Sequence, residues 1–213
     1  MTVKEFKFQY ALGSISKNDL VNIAKKSRSK YVLTILSKNE DWHVRSYVAE
    51  NRNSPAEALT NLSKDEDMFT RRCVASNKNT PFEVLINLAT DEKDSVKESV
   101  AENPRTPTKA LTKLAKDKSW YIRRCAAENR NISVKVLTKL SEDKELYVKQ
   151  GVARNPRTPK KVLTKLSEDE DCNVKMWVAN NPNTTKKVLT KLSKDRNWYI
   201  KYSASENLKR KSK

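Results

Sequence analysis

The sequence predicts an all-α superhelical solenoid built from two-helix repeats. Three observations carry this expectation. A unit of 26 residues, first complete at 42–67, recurs to the end of the 213-residue chain. Its columns fill together. Asn51 is followed by Asn77, Asn103, Asn129, Asn155, Asn181 and Asn207, and Leu59/Leu62 by Leu85/Leu88, Leu111/Leu114, Leu137/Leu140, Leu163/Leu166 and Leu189/Leu192. Each unit also holds two short apolar runs with helical spacing. A fixed period in the range of roughly 20–50 residues marks a solenoid or array.

No linker interrupts the period, so one continuous array is expected. Residues 1–41 read as an N-terminal arm plus a degenerate capping repeat, 42–207 as the solenoid, and 208–213 as a basic tail. In the arm, Phe6, Phe8, Tyr10 and Leu12 alternate with polar residues, which predicts an extended segment or one helical turn. Leu33 and Leu36 fall in register with Leu59 and Leu62, but the Asn and the Ser/Thr-Pro are missing. End units of solenoids depart from the pattern because they cover an exposed apolar face.

The first helix of each full repeat is expected over about 42–50. Val44 and Val48 stand at i, i+4 and Ala49 allows close packing. Asn51 should stop it, helped in three repeats by a following proline (Pro104, Pro156, Pro182). The second helix opens on Ser54-Pro55, Thr80-Pro81, Thr106-Pro107 and Thr158-Pro159. These read as a hydroxyl N-cap followed by proline at the first helical position. Ser54…Glu57 and Thr80…Glu83 fit a capping box. Ile132-Ser133 and Thr184-Thr185 weaken the signal, with Ser133 able to cap one residue later. The helix should end near Lys64-Asp65. Neither helix is long enough to persist alone, so stacking must stabilise both. The last unit has only its first helix, followed by a frayed Lys209–Lys213 tail.

The net charge is +18, and residues 94–213 hold +15 of it. Such asymmetry points to a polyanionic or acidic partner of that half, or to a solubilising surface. Cys73, Cys125 and Cys172 lie far apart with no CxxC spacing, so reduced thiols in a cytoplasmic protein are expected. No apolar run reaches the length of a signal peptide or membrane span.

The phrase Val-Lys-Glu-Ser-Val-Ala-Glu-Asn-Pro-Arg-Thr-Pro-Thr-Lys-Ala-Leu-Thr-Lys-Leu-Ala-Lys-Asp at 96–117, and its counterpart at 148–169, resemble the leucine-rich repeat variant family. The resemblance covers about residues 42–207. It implies a right-handed superhelix of alternating α and α or 3₁₀ helices, similar in logic to HEAT repeats. One founding member carries a cysteine-bound iron–sulfur cluster outside its repeats. The clustered cysteines are missing here, so no cofactor is expected. The resemblance implies no defined activity.

The repeat columns narrow the function. The Asn column reads as structural, bonding backbone groups left open at a helix end. The basic column (Arg45, Arg71, Lys97, Arg123, Lys149, Lys175, Lys201) and the Asp65 column read as pairing within and between repeats. The charge excess lies on the second helix, in four i, i+4 pairs: Lys109/Lys113, Lys135/Lys139, Lys161/Lys165 and Lys187/Lys191. They form a candidate site for nucleic acid or an acidic protein, thickened by Lys160 and Lys186, or else a solvated face. A second stripe runs along the first helix. Phe69, Tyr121, Tyr147 and Tyr199 share a column with His43, and Arg72 and Arg124 follow three residues on. This face would stack bases, anchor a protein partner, or serve packing between repeats.

His43 is the only histidine, and no nucleophile elbow, phosphate-cradling glycine loop or metal spacing appears. The reading is therefore a monomeric, non-catalytic scaffold with no small-molecule substrate and no membrane contact. HEAT-like DNA glycosylases supply a third reading, with Trp120, Trp177 and a nearby carboxylate as counterparts of their cleft. The short regular repeat departs from those enzymes' longer helices.

Overall fold

Apolar spacing within each unit produces two helices of unequal length. A computed structural model describes residues 2–212, which form sixteen α-helices and no strand. α1 spans Val3–Ala11, α2 Lys17–Lys26 and α3 Lys30–Leu36. The first helices of the repeats are α4 (Trp42–Glu50), α6 (Met68–Ser76), α8 (Asp94–Glu102), α10 (Trp120–Glu128), α12 (Leu146–Arg154) and α14 (Cys172–Asn180). The second helices are α5 (Ala56–Leu62), α7 (Phe82–Leu88), α9 (Thr108–Leu114), α11 (Val134–Leu140), α13 (Lys160–Leu166) and α15 (Lys186–Leu192). α16 (Trp198–Arg210) closes the chain. The fold is an α-solenoid of two-helix repeats. The second element of each repeat is α-helical, which decides between the two forms the resemblance allowed.

Two compact units divide the chain, one up to Ala110 and one from Leu111. In the first, α2, α4, α6 and α8 lie side by side; in the second, α10, α12, α14 and α16 do so. α5 and α7 in the first unit, and α11, α13 and α15 in the second, rest on the first helices beside them. The core is a strip of repeated columns. Val44, Val96, Ile122, Val148, Val174 and Ile200 are fully buried, as are Leu59, Leu85, Leu111, Leu137, Leu163 and Leu189. Burying each such leucine contributes about 2 kcal/mol. Thr70 is the polar member of the valine column, and its hydroxyl donates to Asp67 Oδ1 at 3.1 Å.

The helix ends follow a rule that the sequence reading placed one residue too early. Pro55, Pro81 and Pro159 occupy the N-cap itself, with no side-chain cap bond. The expected Ser54 and Thr80 caps and their capping boxes do not form. The preceding hydroxyl faces backward instead. Ser54, Thr80, Thr106 and Thr158 each donate to the carbonyl six residues earlier at 2.5 Å, and Thr184 does so at 2.6 Å. That carbonyl is among those left open at a helix C-terminus. Where the proline column holds a hydroxyl, the cap is present: Ser29, Ser133 and Thr185 accept from Val32, Val136 and Val188. Second helices end at Leu62 and its equivalents, slightly before the expected position.

Both chain ends depart from expectation. Residues 3–11 form a helix, not an extended arm. Thr2 and Glu5 make a reciprocal capping box. Phe6 is buried and stacks on Tyr10, whose hydroxyl accepts from Asn39 Nδ2 at 3.0 Å. At the other end α16 continues through Arg210, and Lys211 Nζ donates to the Pro182 carbonyl at 2.6 Å. The expected fraying does not hold through Ser212; Lys213 lies outside the described residues.

Candidate partner-binding surfaces

Within each unit the loops after first helices gather at one end of the stack and the loops after second helices at the other. We call these the asparagine end and the aspartate end. They carry different charge.

At the asparagine end, each Asn from Asn51 to Asn181 ends its first helix in extended geometry, whether or not a proline follows, whereas Asn207 lies within α16. Its amide reaches the preceding repeat. Asn77 Nδ2 donates to the carbonyls of Ala49 (2.7 Å) and Asn51 (3.0 Å), and its Oδ1 accepts the Asn79 N–H at 2.8 Å. Asn155 repeats this with Ala127 (2.6 Å), Asn129 (3.1 Å) and Arg157 N–H (2.8 Å). Asn181 and Asn207 do the same with their own predecessors. The column is structural, as the sequence reading held.

At the aspartate end the acids are engaged internally. Arg45 meets Asp65 through Nε (2.6 Å) and a terminal nitrogen (2.9 Å), and the remaining nitrogen donates to the carbonyls of Asn39 and Glu40. Arg71–Asp91 and Arg123–Asp143 repeat the bidentate pair at 2.7 Å. Lys149 holds Asp169 at 2.9 Å and Lys175 holds Asp195 at 3.6 Å. The partner is thus the Asp at the end of the same repeat. The preceding Asp contributes its carbonyl, as Asp65 does to Arg71 at 2.9 Å. Burial pushes the carboxyls of Asp91, Asp143 and Asp169 up. The facing cation and a backbone N–H outweigh burial, so all three sit below the ordinary range.

The eight candidate lysines are all exposed. They lie on α9, α11, α13 and α15, on the face opposite the buried leucines. Lys165 reaches Glu142 at 2.8 Å and Lys191 reaches Glu168 at 3.0 Å. Hydrogen bonding from Lys165 holds the Glu142 carboxyl below its usual range. Among the described residues, Lys135, Lys139, Lys161 and Lys187 form no ion pair.

The candidate aromatic face is also exposed, and its rings are organised by tryptophans that begin the first helices. In the first unit Trp42 stacks on His43 (3.7 Å) and Phe69 (5.8 Å), and Arg72 lies over Phe69 at 5.4 Å. In the second, Trp120 meets Tyr121 edge-on (5.7 Å) and stacks on Tyr147 (4.8 Å). Trp198 does likewise with Tyr199 and Tyr202, both at 5.2 Å. Arg124 is paired with Glu128 at 3.0 Å, and Arg154 covers Trp177 at 5.0 Å. Trp120 and Trp177, the expected glycosylase counterparts, are thus engaged with Tyr147 and Arg154. These tryptophan–tyrosine stacks escaped the sequence reading, which kept the two columns apart. They sit at the aspartate end of the first helices.

The sequence reading also missed the charge of the asparagine end. The five residues from each Asn onward contain no acid in any repeat, and they include Arg52, Lys78, Arg105, Arg130, Arg157 and Lys211. Lys160, Pro182, Asn183, Thr184, Thr185, Lys186 and Lys211 line a cavity of about 480 Å³ there. A column-by-column charge count would have found it.

Among the described residues no group of three or more His, Cys, Asp or Glu side chains is placed to hold a metal ion, and no helix is long and apolar enough to cross a membrane. Cys73, Cys125 and Cys172 are free thiols, and burial raises that of Cys73.

A fold of stacked helix pairs with one Asn per repeat, and buried Arg–Asp pairs in three of the repeats, defines a repeat scaffold. Comparison with solved structures agrees. The chain is similar to a leucine-rich repeat variant with a repetitive structural motif, at 24% identity and a TM-score of 0.67, over 93% of this chain and 79% of that one. It is also similar to the YibA protein of Escherichia coli, at 18% identity and a TM-score of 0.51, over 92% and 98%. The leucine-rich repeat variant fold, expected from the sequence, is the fold observed. No family model matches the chain, and no curated protein does.

Proposed function

We propose that this protein is a non-catalytic repeat scaffold that docks nucleic acid through the basic second-helix side of residues 109–191. One observation carries the reading. The buried acids are matched to basic residues inside the fold, whereas Lys135, Lys139, Lys161 and Lys187 stand exposed and unpaired among the described residues. Like charges repeated on one face cost stability without helping folding. A phosphate backbone offsets that cost by releasing its counterions.

The test is a titration against labelled duplex and single-stranded DNA at several salt concentrations. Binding should fall steeply with salt. A Lys109→Glu, Lys135→Glu, Lys161→Glu, Lys187→Glu variant that still folds should lose most of it, with a slope shallower by about 0.9 per contact removed. No binding at low salt would sink the reading. A second reading, a protein–protein adaptor, is favoured by the exposed ring stacks. Tyr121→Ala with Tyr147→Ala would abolish capture of such a partner, and reversing the lysines would not.

A further inference from the structure

We infer that the nucleic acid is a duplex, contacted through its phosphates along the asparagine end of residues 111–213, with Arg130, Arg157, Lys160, Lys186 and Lys211 as the track. This rests on the nucleic-acid reading above and moves its centre from the middle of the second helices to the loops before them.

Four observations place the track. The five residues from Asn129, Asn155 and Asn207 onward hold basic groups and no carboxylate, and the stretch from Asn181 is neutral until Lys186. The mid-helix lysines are compromised by comparison, because Lys165 and Lys191 are held by Glu142 and Glu168. Lys160 and Lys186 are exposed, and neither forms an ion pair among the described residues. The start of α13, the loop before α15 and the end of α16 meet around the cavity of about 480 Å³ whose rim carries Lys160, Lys186 and Lys211, with Asn183 and Thr185 beside them.

The arginine and lysine stems are also steadied. Arg157 donates one nitrogen to the Arg130 carbonyl at 2.8 Å, and Lys211 donates to Pro182 at 2.6 Å. A guanidinium fixed by one nitrogen keeps its other donors in a defined direction at less entropic cost.

The choice of duplex follows from what this end lacks. Single strands are held by aromatic platforms under their bases. In the second unit Trp120, Tyr121 and Tyr147 stand at the opposite end of nine-residue first helices, roughly 13 Å away along the helix axis, and the nearer Trp177 ring is covered by Arg154. A protein partner would want an apolar anchor. The track instead presents mainly prolines, asparagines, threonines and cations, with Val134 exposed at the start of α11. One contact per repeat, about 10 Å apart, corresponds to roughly three base pairs of axial rise.

The experiment compares two variants of equal charge change in the full chain. One carries Arg130→Gln, Arg157→Gln, Lys160→Gln and Lys186→Gln. The other carries Lys113→Gln, Lys139→Gln, Lys165→Gln and Lys191→Gln. Both are titrated with a labelled 24-base-pair duplex of arbitrary sequence, a single strand of equal length, and polyglutamate as competitor. The track variant should lose on the order of 30-fold in duplex affinity and the mid-helix variant about threefold. Lys160→Gln with Lys186→Gln, which breaks no internal bond, should show part of the same loss if the fourfold variant misfolds. Wild-type protein that fails to bind any DNA removes the nucleic-acid reading itself. Wild-type binding with the larger loss in the mid-helix variant overturns the track and leaves that reading standing. A preference for the single strand, or displacement by polyglutamate at matched charge, overturns the duplex.

Discussion

The asparagine end and the aspartate end of each repeat use their charged residues differently. At the aspartate end, acids and bases meet inside the fold: the Arg45–Asp65, Arg71–Asp91 and Arg123–Asp143 pairs are nearly closed to solvent. At the asparagine end neutral amides do the structural bonding, and the cations around them are left exposed. A repeat stack needs its loops fixed at both ends. Fixing one with amides leaves its cations outside the structural bonding. Fixing the other with ion pairs ties them up.

The sharpest way to break this comparison is to remove an amide. Asn155→Ala deletes three bonds and takes their side-chain partner from the buried Ala127 carbonyl and the Arg157 N–H, while the Asn129 carbonyl keeps the Ile132 N–H. The loss should be about 4 kcal/mol in urea unfolding. If the cost is under about 1 kcal/mol, the asparagine end is not held as described. At the opposite end Arg123→Leu should cost about 3 kcal/mol, because Asp143 is left charged and unpaired. The double variant with Asp143→Leu should recover part of that. A double variant worse than the sum would mean that the pair does more than neutralise itself.

Thr158→Val tests the smaller bond at the asparagine end. Its hydroxyl donates to the Val152 carbonyl in a fully buried site, so about 1 kcal/mol should be lost. The chain contains its own precedent: Ile132 occupies the same column, fully buried and without a hydroxyl.

These residues also show what the sequence made legible. The period, the leucine and valine columns and the Asn column each reported themselves by recurrence, because every repeat must bury the same strip. The Ser/Thr-Pro dipeptide misled because two local rules compete there. A hydroxyl before a proline reads as an N-cap, but in Thr158-Pro159 the hydroxyl is better satisfied by a carbonyl of the preceding helix. The α1 helix was hidden because Phe6, Phe8 and Tyr10 alternate like a strand, while what fixes it is the Thr2–Glu5 box and the long-range Tyr10–Asn39 bond. The pairing of Lys165 with Glu142 spans 23 residues, and no local pattern announces it. The lysine and aromatic faces were legible as residues. The partners of Lys165 and Lys191 and the tryptophan stacks on the rings needed coordinates.

Acid should separate the ends next. Asp41 is held down to about 2, first by the Lys17 ammonium, and Asp91, Asp143 and Asp169 also sit below the ordinary value of 3.8. A depressed folded-state pKa contributes stability that is present above the unfolded value and lost as pH falls through the folded one. Stability should therefore hold down to about pH 4 and decline toward about pH 2. The Asn ladder does not titrate. In Arg123→Leu the decline should be shallower, since protonating Asp143 no longer breaks a pair. An equally steep decline would place the acid sensitivity outside the aspartate end.

The smallest effect is expected at Lys165. Its contact with Glu142 joins two side chains that are about two-thirds exposed, at 64% and 66%. Exposed pairs contribute about 0–1 kcal/mol, and the neighbouring lysines repel Lys165 in the same range. Lys165→Gln should leave the unfolding midpoint within about 0.5 kcal/mol of wild type. Glu142→Gln should do slightly worse, because it leaves Lys165 among like charges with no counterion. If the order is reversed, the ion pair matters more than the crowding of cations. The second-helix side would then be a structural surface rather than one whose charge is left over for a partner.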